Sequence, residues 1–444
     1  MLIVGGNQSA GGYEIANSIR YDKTTSQYLR RTCGSSASSY TLSLWAKNCE
    51  PQGGDTTAIY WNGAGAKINW EFNGISAIYW YDPETRTTSS YRDASAWYHF
   101  VWKVSSNVGT LYVNGVAAPG LTSASGIDSL NSGNFIYLGN DAGSYSPQNG
   151  YFAEVCFIDG TALDPTSFGE YDEDSGIWKP IDVSGLSFGS NGFYLDFEDS
   201  SALGNDVSGN NNDLTSAGFT SLNQTTDTPT NNSSIINILT PVDTTVSEGN
   251  LKYSDTSSNY KGVVGTFGAS SGKWYCEVKV VTVGDAHQIG IVDVDQQQGA
   301  VAEYPGSVSN GYSLSNERDV YNNNGIISGY TDWTGTYTSG DIIGIAMDLD
   351  NNKLYFSKGG QWSDGAGSWG STTFNPATGD IPINSGITYT FSASAYNGTG
   401  QFNFGSPPFT ISSGNSDGNG YGNFEYTVPS GYYALNTKNL AQYG

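Results

Sequence analysis

The stretch Gly340–Trp362, GDIIGIAMDLDNNKLYFSKGGQW, reads as two strands and a tight turn. In its first arm Ile342, Gly344, Ala346 and Asp348 share one face, and Ile343, Ile345, Met347 and Leu349 share the other. An arm apolar on both faces belongs to a strand covered on both sides. DLDNNK supplies turn chemistry, because Asp and Asn tolerate a left-handed backbone and cap their own turns. Leu354 and Phe356 resume the alternation on the return strand. The element is a long hairpin in the middle of a sheet.

Composition extends that reading to the whole chain. Its 444 residues suffice for two or three domains. Aromatics make up 14%, Gly is abundant, and no stretch holds a helical period, which together point to an all-β protein with many short loops. Asn-Gly pairs, as at 62, 114, 149, 324 and 397, are candidate hairpin turns. Forty-two acidic residues against 18 basic ones leave a net charge of −24, which argues against nucleic-acid and anionic-membrane partners. No apolar run approaches the ~20 residues of a membrane span. MLIVGG at the start is too short, and lacks the charged opening, to be a signal peptide. The expectation is assembly in a host cytoplasm, with no membrane insertion. Cys156 and Cys276 sit inside strand patterns as core residues; Cys33 and Cys49 flank one strand and could pair.

Upstream of the hairpin lies GKWYCEVKVV (Gly272–Val281), and downstream FNFGSPPF (Phe402–Phe409). These three motifs, in this order, resemble SPRY domains. That resemblance implies a bent β-sandwich that presents loops to a partner and carries no catalytic residues.

The first half opens with a Gly-rich arm, residues 1–17, and then strand signals. SIRYDKTTSQYLRRT reads as one strand pair, and YTLSLWAKN (Tyr40–Asn48) as an alternating strand. AIYW, KINWEF, SAIYWY, WYHFVWKV, GTLYVNGV, FIYLGND and GYFAEVCFIDGTALDPTSF follow up to Phe168. WYHFVWKV, LYVNGV, YLGN and the strand ending in ALDP resemble the laminin-G-like, concanavalin A-like sandwich, a jelly roll of two antiparallel sheets. The assignment is all-β: two β-sandwich (jelly-roll) domains in series, concanavalin A-like over 18–178, then SPRY-like over 247–412. Residues 179–246 are a connector and linker, and 413–444 a C-terminal tail. Within the connector, GFYLDFEDSSALGNDVSGNNNDL is either a displaced strand completing the first sandwich or a bridge between domains. LNQTTDTPTNNSS (Leu222–Ser234) reads as a surface linker.

This succession of parts, with the ending YTVPSGYYALNTKNL (Tyr426–Leu440), resembles virion surface proteins of tailed phages, marine ones especially. The resemblance implies a non-enzymatic virion structural protein: a tail or head fibre, or receptor-binding component, recognising host glycan or surface protein. A capsid or tail decoration protein is the alternative, and a concanavalin-fold glycan hydrolase the less favoured third.

A laminarinase-like glucanase needs carboxylates alternating along one strand. The nearest string, Glu170-Tyr171-Asp172-Glu173, sits among turn residues, and Asp196-Phe197-Glu198 would point its acids outward. His99 reads as a packed or rim residue and His287 as a loop residue, with no Ser or Cys motif and no zinc spacing beside either. The loop Asp206, Ser208, Asn210, Asp213 lacks the sixth-position Gly and distant Glu of an EF-hand and reads as a hydrogen-bonded turn. No catalytic, cofactor or metal residue is assigned. The remaining candidates are aromatics at loops that would stack on sugar or anchor a partner: Trp61, Trp80, Tyr81, Trp333, Tyr337 and Trp362. A homo-oligomer, a trimer, is expected, fixed to other virion proteins through the N-terminal arm.

Overall fold

The computed structural model describes residues 12–444 except 35, 51–55, 62–65, 72–76, 81–84, 126–132, 141–145, 241–243, 258, 298–301, 330–335, 364–368, 376 and 378–379. For strands Thr56–Trp61, Ala66–Glu71 and Ala77–Trp80 it describes the backbone and, of the side chains, Asn69. The chain divides into two compact units, one ending at Asn232 and one beginning at Ser233.

In the first unit, strands Val108–Val113, Tyr98–Ser105, Tyr40–Asn48, Gly150–Asp159, Ser18–Tyr21 and Gln224–Thr225 lie side by side in that order. The opposing sheet runs Thr215–Ala217, Tyr28–Thr32, Phe135–Leu138, Thr56–Trp61, Ala66–Glu71 and Ala77–Trp80. Ile19, Leu42, Leu44, Trp102 and Phe152 of the one meet Leu29, Ile136 and Leu138 of the other in a shared core. Tyr40–Asn48 is buried along its whole length. Leu42 and Leu44 face that core, while Trp45 packs outward against Trp178. Ser18–Tyr21 and Tyr28–Thr32 are both strands, yet they belong to different sheets and do not pair. Between them Asp22 accepts Thr24 N at 3.0 Å and its own N–H bonds Gln27 Oε1 at 2.7 Å, turning a corner across the sandwich.

Of the two alternatives for the expected connector, 179–246, the structure has the displaced strand: residues up to 232 complete this sandwich. Phe193–Leu195 pairs with the Gly150–Asp159 strand, and Thr215–Ala217 with Tyr28–Thr32. The run expected as a surface linker is mostly buried, because its polar groups are matched internally. Lys47 Nζ donates to Asp227 and to Asn232, both at 2.8 Å, and Trp97 Nε1 donates to Asp227 at 3.1 Å. Thr230 Oγ1 accepts Ile15 N and donates to Ile15 O. The end of the expected arm is therefore docked too, with Ile15 buried; residues 1–11 lie outside the described ones.

In the second unit the Gly340–Trp362 hairpin is central. Ile342–Asp348 lies between Lys273–Thr282 and Lys353–Lys358, with Met347 opposite Leu354 and Gly344 opposite Ser357. Gly344 is required, since a Cβ there would meet Ser357 Oγ at 2.4 Å. The turn is built as its residues suggest: Asp348 Oδ1 accepts Asn351 N at 3.0 Å and Asn352 adopts φ +57°. The opposing sheet includes Ala286–Asp293, Tyr389–Tyr396 and Gly311–Ser315. His287 is thus a buried strand residue and not a loop residue; the turn signal ended at Asp285. Its Nε2 meets Tyr253 Oη across the sandwich at 2.9 Å.

The expected tail belongs to this unit as well. Tyr433–Ala434 runs parallel beside Lys273–Thr282, and Phe424, Val428 and Tyr432 are buried with Tyr275, Tyr355 and Trp362. Asn436 caps the closing helix Thr437–Tyr443 by accepting Asn439 N. Ile345 is fully buried on the middle strand. Ile345→Asp places an unpaired carboxylate there, a cost of several kcal/mol. Hydrogen exchange on the full chain is expected to show protection lost across Lys273–Thr282 and Lys353–Lys358, with Tyr40–Asn48 still protected. Retained protection throughout would mean that the strand tolerates an acid.

Candidate functional site

A recess in the second unit is built from the hairpin's end and the tail. The Gly359-Gly360 turn leads into Gln361–Ser363, which carries Trp362. A Cβ at Gly360, where φ is +74°, would meet Tyr426 at 2.6 Å, so the tail crosses directly over this turn. Phe374 is the hub: its ring centroid lies 4.8 Å from Trp362, 4.9 Å from Tyr355 and 5.3 Å from Tyr432, each near-perpendicular. Trp362, Phe374, Tyr432 and Val428 bound a recess of about 500 Å³ rimmed by Thr372, Thr373, Thr427 and Ser430. Lys273 reaches the edge, where its ammonium pairs with Asp348 at 2.9 Å. Burial raises the Tyr432 phenol far above its usual range, and neighbouring Asp348 adds to the rise, so the phenol stays neutral.

Glu277 holds the tail wall in place. Its carboxylate accepts Tyr426 N at 2.8 Å, Glu425 N at 3.0 Å, and Tyr275 Oη and Asn403 Nδ2 at 3.1 Å. It is fully buried, and burial lifts its pKa to about 7 against the pull of those four donors.

Of the aromatics named from sequence, Trp362 lines this recess. Tyr337 does not present a ring to solvent: it is 2% exposed, and its hydroxyl donates to the carbonyls of His287 and Leu314. It is a core residue. The side chains of Trp61 and Trp80, and all of Tyr81 and Trp333, lie outside the described residues. Tyr432, Thr427 and Ser430 were missed because the tail was read apart from the domain it closes, and Thr372, Thr373 and Phe374 because they lie in an irregular loop with no period. The signal available in the tail was GYYALN, a short apolar run following a turn.

The first unit holds a Ser–His pair that invites comparison with a catalytic dyad. Ser43 Oγ lies 2.8 Å from His99 Nε2, but Trp178 Nε1, a donor only, lies 2.9 Å from His99 Nδ1. Nδ1 must accept, so Nε2 carries the proton and points it at Ser43. That tautomer cannot take a proton from the hydroxyl. Burial holds the His99 pKa at about 3, between Trp45 and Trp178. Beside it Glu154 sits on a β-bulge at φ +49° and accepts Tyr194 Oη at 2.6 Å. Burial raises its pKa to about 7. The adjoining void is too small to admit water.

Only the second half of the acidic string is the expected turn: Glu170 and Tyr171 end a short strand, Gly169–Tyr171, paired with Trp178–Pro180, and Asp172 caps the turn by accepting Ser175 N, with Lys179 bridging it to Glu170 at 3.1 and 3.4 Å. In the Asp206 loop the aspartate accepts the N–H groups of Tyr194, Ser208 and Asn212, which makes it a hydrogen-bonded turn. Among the described residues no group of three or more His, Cys, Asp or Glu is placed to hold a metal ion. The four cysteines are buried free thiols.

Residues 23–166 match the model of the concanavalin A-like lectin/glucanases superfamily (laminin G type). No curated protein matches. Among solved structures the chain is similar to the SPRY domain of human HERC1, at 13% identity and TM-score 0.28, covering 38% of this chain and 96% of that one. It is also similar to stonustoxin, at 15% identity and TM-score 0.28, covering 38% of this chain and 27% of that one.

Proposed function

We propose that this chain is a non-enzymatic virion surface protein of a tailed phage, a fibre or receptor-binding component that recognises a host glycan or surface protein. The observation that carries the reading is the recess of the second unit, open and ring-lined, with no carboxylate among the described residues that line it. Such a site binds without chemistry to perform. The Ser43–His99 and Glu154 groups support the same reading, since the His99 tautomer cannot act as a base toward Ser43 and the void beside them is too small to admit water. The phage setting is supported by the order of the sequence motifs. In this reading the protein acts in the virion as a homo-oligomer, a trimer, attached through the N-terminal arm to other virion proteins. Repetition then raises the strength of individually weak contacts.

The test is to incubate the purified full chain with host cells and host-wall polysaccharide, measuring adherence and release of reducing ends. Adherence without release is expected. Turnover abolished by Glu170→Gln or Asp172→Asn would replace the reading with a hydrolase. Absence of adherence, with the labelled chain found on the capsid, would replace it with a decoration protein serving assembly.

A further inference from the structure

We propose that the recess between Trp362, Phe374 and Tyr432 is a carbohydrate site for the terminal units of a neutral hexopyranose glycan. This names the ligand for the binding role proposed above and rests on that reading. The recess offers two kinds of surface. Its walls are rings, which match the C–H face of a pyranose. Phe374 is the half-buried member and hence the ring a ligand can reach. Its rim carries the hydroxyls of Thr372, Thr427 and Ser430. A hydroxyl both donates and accepts, as does each hydroxyl of a sugar, so either partner can adopt the needed orientation. A peptide would instead ask for fixed backbone partners in a strand-like row.

Charge selects among sugars. The cation at the edge, Lys273, is already paired with the carboxylate of Asp348 at 2.9 Å, which leaves the rim close to neutral. The chain as a whole carries −24 and repels anionic glycans. A neutral ligand is therefore favoured over a uronic or sialic acid. The volume of about 500 Å³ falls within the range of ~300–1,000 Å³ common to small-ligand sites. The wall is also preorganised: Glu277 fixes the backbone of Glu425 and Tyr426 just before Thr427, so little ordering is left for binding to cost.

The experiment titrates the full chain by calorimetry and saturation-transfer NMR. The probes are the methyl glucosides, galactosides and mannosides in both anomers, with maltose, cellobiose and lactose, and sialyllactose as the charged counterpart of lactose. At least one neutral sugar is expected to bind. Phe374→Ala should weaken it at least tenfold, and Thr427→Val, nearly isosteric and safe for folding, several-fold. Sialyllactose should bind less tightly than lactose. The proposal is overturned if no neutral sugar binds, if neither variant weakens binding, or if sialyllactose binds more tightly than lactose. Adherence to host cells by a chain that binds none of these sugars would sink this assignment alone. Failure of the unmodified chain to adhere would sink the functional reading beneath it.

Discussion

Lys47→Ala is expected to destabilise the first unit by about 3–5 kcal/mol, the usual cost of removing one partner from a buried ion pair. Lys47 and Asp227 are 0% and 2% exposed. Without the ammonium, Asp227 keeps the Trp97 indole as a donor but loses its counter-charge. Asn232 loses the same donor, so the segment that closes the sheet beside Ser18–Tyr21 should loosen. Urea unfolding gives the energy, and hydrogen exchange over residues 222–232 gives the place. The double variant Lys47→Met, Asp227→Leu replaces the pair with apolar volume and should recover most of the loss. A loss below about 1 kcal/mol for Lys47→Ala would mean that the pair is wet and contributes as a surface bridge does.

Between about pH 4.5 and 6.5 the stability of the second unit should change little, and two substitutions should tilt it in opposite directions. Burial raises Glu277 from 4.5 to about 7, so its contribution is fully present below pH 4.5 and is lost as pH rises through about 7. Burial lowers His287 from 6.5 to about 3, so its contribution is present above pH 6.5 and is lost as pH falls through about 3. Within the shared window the folded unit keeps the proton on Glu277, while the unfolded chain keeps it on His287. The proton counts are equal and the slope vanishes. Glu277→Gln leaves the histidine alone, and stability should then rise by about 2–3 kcal/mol from pH 4.5 to 6.5. His287→Gln leaves the glutamate alone, and stability should fall by a similar amount. Denaturant unfolding at the two pH values, followed by exchange in Lys273–Thr282, reads both slopes; parallel profiles for both variants and the parent chain would refute the assignment. The first unit holds the same opposition in Glu154 and His99.

Legibility in the sequence followed the length of each element. Ile342–Asp348 and Tyr40–Asn48 are long enough to display an alternation, and both lie where that alternation places them. Phe193–Leu195 was legible too, because Phe193, Leu195 and Phe197 alternate into the core, whereas Thr215–Ala217, Gln224–Thr225 and Tyr433–Ala434 are two or three residues each, too short for any period, and their partners are far away in sequence. The run around Asp227 misled for a different reason. A polar residue satisfied inside the protein has the same letter as one satisfied by water, and only Lys47 and Trp97, remote in the chain, tell them apart. The recess was half legible: Trp362 belongs to the recognisable hairpin, whereas Phe374 and Tyr432 reach it by tertiary packing alone.

The placement of Ser18–Tyr21 between Gly150–Asp159 and Gln224–Thr225 also sets a timetable. Ile19 finds its neighbours only at Phe152 and Gln224, so the loop that must close before either contact forms is very long. Folds dominated by such distant pairings fold slowly. At ~5–20 residues per second, a ribosome needs roughly ten to forty seconds to deliver the second of these partners after the strand itself has emerged. For about the first two-thirds of that interval, until Gly150–Asp159 arrives, Ile19 and Tyr21 lack either neighbour, and the nascent chain carries an adhesive, unpaired edge. Soluble yield should therefore depend on the holdase chaperones and temperature met during synthesis more than on the stability of the finished protein.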